Sequence, residues 1–174
     1  MHDRERQKCY DAEIVAFAGT RIADDVGFDR CVEISERVTS QPWWFRSARS
    51  PRVKVTRARS DALKSSSSGP NIRISRIQEN VETICHELAH SFSPPGAGHG
   101  GEFRGNYIAI VANVCGTVPA ERLRDAFISA RLEVIESRIP LSDVPLLDNA
   151  LLVRMTSQLT PERSRGAILI YPAS

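Results

Sequence analysis

The chain has 174 residues, is 41% hydrophobic and 25% charged, and carries a formal net charge of +2. That is the size and make-up of one ordinary globular domain, and it excludes a disordered, collagen-like or coiled-coil chain. The charge is too mild to imply nucleic acid by itself, and its source, 20 Arg against 3 Lys, reads as genome composition. No apolar run reaches the roughly 18 residues of a membrane span. The charged start, Met1 to Lys8, lacks the apolar stretch of a secretory signal. A single domain over 1–174 with no membrane partner is expected, in the cytoplasm.

Helical spacing of Tyr10, Ile14 and Phe17 predicts a first helix over 3–18, stopped by Gly19. Asp24 or Asp25 as N-cap opens a second, with Phe28, Cys31, Val32, Ser35 and Val38 on its buried face and Pro42 after its end. Alternating residues at 52–56 and 71–75 predict two strands, separated by the loop 65–70. Ser75 and Gln78 fit a capping box that starts a helix over 76–92, and the Pro- and Gly-rich run 93–98 ends it. Two further helices are expected over 102–114 and 119–135. Four prolines disfavour long helices beyond 136, where 150–153 and 167–171 are apolar enough to pack back on the domain.

The cysteines Cys9, Cys31, Cys85 and Cys115 are widely spaced with no C-x-x-C pair. Neither a disulfide framework nor a four-cysteine zinc ribbon fits, and they read as small buried apolar residues. The stretch 41–64 mixes Trp43, Trp44 and Phe45 with seven basic residues and one acid, Asp61. It reads as an exposed strand with an aromatic core anchor; nucleic acid or an acidic peptide is the alternative partner.

Three of the four histidines fall between positions 86 and 99. His86-Glu87-Leu88-Ala89-His90 is an H-E-x-x-H sequence. Residues four apart share one helix face, so two imidazoles can point at one ion while the glutamate reaches a bound water without ligating. On a helix, Ile77, Val81, Ile84, Leu88 and Phe92 fall within about 80° as a core stripe, with the histidines on the opposite side, towards a cleft or solvent. A catalytic zinc needs a third ligand. His99 is the candidate, because Pro94, Pro95, Gly96 and Gly98 permit the loop to turn back. Gly96 stands where a metzincin would have histidine. Glu102 and Glu121 are poorer ligands, and Glu102 suits a supporting role beside His99. Glu87 would be the general base. Tyr107 lies on a stripe with Phe103 and Val111 and reads as core; orienting a substrate oxyanion is its alternative role.

These residues resemble the SprT-like and minigluzincin group of small zinc metallopeptidases. His86-Glu87-Leu88-Ala89-His90 and His99-Gly100-Gly101-Glu102-Phe103 look like the group's H-E-x-x-H and H-G-x-x-F signatures. The layout over residues 1 to about 135 is also similar to small metallohydrolases with a charged N-terminal helix. The resemblance implies an α+β zincin-like fold, with a small sheet beside the active-site helix. It also implies Zn2+ on His86, His90 and His99, catalysis by Glu87, and a peptide or protein substrate. The cysteine-rich ribbon of DNA-repair relatives is missing, so that role is not implied. A zinc-containing binding or nucleic-acid-associated module without catalysis is the rival reading, and a non-peptide amidase stays within the enzyme class.

Overall fold

The computed structural model describes residues 3–48, 51–142 and 144–147. Its described part is a mixed α+β fold. Helices α1 (Arg6–Phe17), α2 (Phe28–Thr39) and α3 (Pro42–Ser47) precede strands β1 (Lys54–Arg57), β2 (Ser66–Ser67) and β3 (Asn71–Ile74). Helices α4 (Val81–Phe92), α5 (Gly101–Cys115) and α6 (Thr117–Ser129) follow. The apolar stretches expected at 150–153 and 167–171 lie outside the described residues.

The three strands form one sheet in the order β1-β3-β2, with β1 parallel and β2 antiparallel to β3. Ile72 and Ile74 alternate inward on β3 and are fully buried, so the sheet lies against α4. α5 is apolar around nearly its whole circumference and is buried from Phe103 to Cys115, as befits a central helix between α4 and α6. α1 packs on α6. All four cysteines are buried thiols. No helix among the described residues is long and apolar enough to cross a membrane.

Several elements differ from the sequence reading, each for a local reason. α4 starts at Val81, because the Asn80 side chain accepts a hydrogen bond from the Thr83 N–H at 2.8 Å. Ser75 donates instead to the Ala62 carbonyl, and residues 76–78 form a 3-10 turn. Ile77 is therefore off the core stripe and 70% exposed. α1 turns Glu13 inward and Ile14 outward. The tryptophans are the core anchor the sequence suggested, and they sit on α3, a helix that the sequence reading did not include and that Pro42 opens. Both indoles pack on Phe92, with ring centroids 6.0 and 5.3 Å away.

α6 ends at Ser129, short of the predicted 135, and the chain then crosses α5 in extended form. Ile135 donates its N–H to the Gly101 carbonyl at 3.1 Å. A β-carbon on Gly105 would stand 1.7 Å from the Ile135 carbonyl oxygen, so only glycine lets this strap close on the helix.

Candidate metal centre

α4 carries His86, Glu87 and His90, and the following loop brings back His99. Gly98, at φ +54°, makes the reversal just before it. The three Nε2 atoms form a near-regular triangle, with separations of 3.1 Å for His86–His90, 3.3 Å for His90–His99 and 3.2 Å for His86–His99. Among the described residues this is the one group of ligand atoms close enough to hold a metal ion.

The chemistry of the donors fits an ion as well as their spacing does. His86 Nδ1–H donates to Glu13 Oε1 at 3.1 Å, and His99 Nδ1–H donates to Asp3 Oδ2 at 2.5 Å. Each carboxylate thereby leaves its imidazole with a bare Nε2 lone pair. Two such lone pairs facing each other at 3.2 Å repel, and one N–H from His90 cannot satisfy both. A shared cation removes the conflict. Imidazole nitrogens held tetrahedrally at 2.0–2.1 Å from an ion stand about 3.3 Å apart, which matches the triangle. A divalent metal cofactor therefore suits the site.

His86 and His99 are each only 5% exposed. Of the cleft or solvent that the sequence reading offered, the structure has the cleft: rings of α1 and α5 cover His86 and His99 from solvent, while cavities reach His86 and His90. Phe103 stacks on His90 with centroids 4.2 Å apart, and Tyr107 lies edge-on to His86. Tyr107 is packing, as the sequence suggested. Burial and the neighbouring rings hold the His90 pKa far below its ordinary value. Burial also lowers that of His99, against the pull of Asp3. For His86, burial opposes protonation, but the neighbouring carboxylates, Glu13 foremost with Glu87 and Glu82, together outweigh it and raise the pKa.

The supporting acids were not foreseen. Glu102, the sequence candidate, is exposed on the first turn of α5, and Glu121 is exposed on α6. Asp3 serves His99 instead, and it also accepts the His99 backbone N–H at 3.0 Å. A β-carbon on Gly98 would come within 3.0 Å of the same carboxylate. Arg104, 1% exposed, fastens the arrangement. It donates to the His99 carbonyl at 2.5 Å, to Glu5 at 2.9 Å and to the Glu133 carbonyl at 2.5 Å. These contacts span up to 99 positions in sequence, so no local pattern announces them.

Glu87 is 6% exposed, and its Oε2 has no hydrogen-bond partner among the described residues. Burial pushes its pKa up to about 7; His86 acts against the rise and Glu13 adds to it. An orphaned buried carboxylate oxygen is costly to keep, and sites that keep one use it. Glu82, one turn earlier, is likewise pushed to about 7 by burial, with Glu13 adding to the shift. A carboxyl whose pKa is higher folded than unfolded supports the fold below its unfolded value of 4.5, and loses that contribution as pH rises through 7. The metal-free protein should therefore lose about 2 kcal/mol between pH 5 and 8 relative to Glu82→Gln. Urea midpoints at the two pH values measure this; parallel shifts in both proteins would disprove it.

Comparison with protein-family models, curated proteins and solved structures returned no match. The site nevertheless defines its class. A helix-borne H-E-x-x-H, a third histidine from the next loop and a free buried glutamate form an HExxH-type, zincin-like active site, that of a metal-activated hydrolase.

Proposed function

We propose that the chain is a zinc-dependent peptidase that hydrolyses an amide bond. The observation that carries this reading is the His86–His90–His99 triangle with the unpartnered Glu87 Oε2 beside it. Three imidazoles, with no fourth ligand gathered to them among the described residues, suit zinc with one coordination position open. When bound, the ion supplies Lewis acidity, polarising the carbonyl and lowering the pKa of water from 15.7 to about 7.

The protein's own groups do the rest. Asp3 and Glu13 fix the two ring tautomers and orientations. Glu87 takes the proton of the attacking water on Oε2 and passes it to the nitrogen of the departing amine. Phe103 and Tyr107 wall off bulk water behind the rings, which strengthens every charge interaction at the site.

A peptide substrate is supported by the shape around the centre. One cavity of about 220 Å³ touches Lys64, Ser65, His86 and Glu87. A second of about 430 Å³ touches Ser67, Ser68, His90 and Ser91. They follow one another along α4 and along the segment holding β2, a path suited to an extended chain. Metal-replete protein should contain roughly one zinc per chain by elemental analysis and should release new amino termini from unstructured peptides. Native protein that takes up no zinc would overturn the proposal.

A further inference from the structure

We propose that the cavity beside Glu87 is a subsite for a positively charged group of the substrate, a lysine or arginine side chain flanking the cleaved amide. This inference rests on the peptidase reading and adds a substrate class to it.

The cavity is about 220 Å³, below the roughly 300–1,000 Å³ of pockets that take a whole ligand. It has room for one side chain. Tyr10, Glu13, Lys64, Glu82, His86 and Glu87 line it, so three carboxylates face one small space. None of the three is paired with a lysine or arginine among the described residues. Glu13 spends Oε1 on His86 and Cys9. Glu82 makes no side-chain hydrogen bond among the described residues. Glu87 is 6% exposed with Oε2 unpartnered. Glu13 and Glu82, with the exposed Lys64 as the one lysine or arginine on the lining, favour a further cation that brings its own donors.

A bare metal ion is a poor occupant. Only the three histidines, and not these carboxylates, are grouped tightly enough for one. A guanidinium or ammonium on a flexible stem spans the wider spacing, and the Tyr10 ring and Ile14 offer an apolar wall for the methylenes. Tyr10 already attracts cations: Arg6 and Lys64 each lie 5.6 Å from its ring centre. Lys64 is exposed at the mouth and forms no ion pair with the three acids. It stands as a like-charged neighbour to an incoming lysine.

The test uses the full chain loaded with zinc and alanine pentapeptides blocked at both ends. One position in turn carries lysine, arginine or the uncharged norleucine, and both binding and cleavage are measured. At one position lysine or arginine should exceed norleucine by about tenfold or more, the effect of one charge-assisted contact. Glu82→Gln should collapse that ratio, and Lys64→Met, a surface change, should widen it. Norleucine equal to lysine at every position, in the unaltered protein, overturns the subsite. A second series with free amino termini separates the two sources of an ammonium group. A preference that follows the terminus and not the side chain overturns the assignment. Cleavage without a basic preference leaves the peptidase reading intact and removes this inference. Tight lysine binding with no cleavage does the reverse.

Discussion

Glu87→Gln protein should hold its metal as well as the unaltered chain and lose turnover by about 10²–10⁴-fold, the range of general acid–base catalysis. The substitution is nearly isosteric. Glu87 is not among the three gathered ligands, and its Oε2 holds no other group in place, so little besides proton transfer is removed. An amide cannot take the proton from water or return it to the amine. The change also replaces a buried carboxylate by a neutral group, so the variant should unfold at no lower a temperature than its parent. Elemental analysis, kcat and a thermal melt test the three statements together. Turnover preserved in a metal-loaded variant would remove Glu87 from the chemistry.

Asp3→Asn combined with Glu13→Gln should weaken zinc binding by about 100- to 10⁴-fold. Each supporting partner of a ligating imidazole contributes about 10- to 100-fold, and the two acids act on separate rings, so their effects should nearly add in free energy. The amide oxygens can still accept from Nδ1–H. The rings therefore stay in place, and what disappears is the negative charge that makes Nε2 a better donor. Competition against a chelator at fixed pH reads the loss directly, with no need for a substrate. Glu5→Gln is the comparison: Glu5 contacts Arg104 and no ring, and its effect should be smaller than either single substitution. An unchanged zinc affinity in the double variant would show that the carboxylates do not tune the ligands.

Residues that act locally could be read from the sequence, and residues that act across the fold could not. The four-residue spacing of His86 and His90 is helical arithmetic, and the turn residues before His99 announce a reversal. The core stripe Val81, Ile84, Leu88 and Phe92 lies inward as its periodicity predicts. Ile77 departs from it because Asn80, and not Ser75, caps the helix. Of the apolar pattern in α1, Phe17 is buried but Ile14 is exposed, and Glu13 beside it is buried instead, with its partner His86 73 positions away. Hydrophobic periodicity is blind to such a residue, since its burial is secured by an imidazole and not by a core. Glu102 was attractive because it is near His99 in sequence, but the first turn of α5 points it to solvent. The serines of β2 carry no apolar signal, and only pairing with β3 makes them a strand.

Asp3, Glu5 and Glu13 reach the centre from a short stretch of the chain that contains none of the three ligands. A single proteolytic nick between Glu5 and Glu13 would unfasten Asp3 and Glu5 from the ligand loop and would not touch a single ligating ring. All three ligands would remain in place, but His99 would lose the carboxylate that orients it.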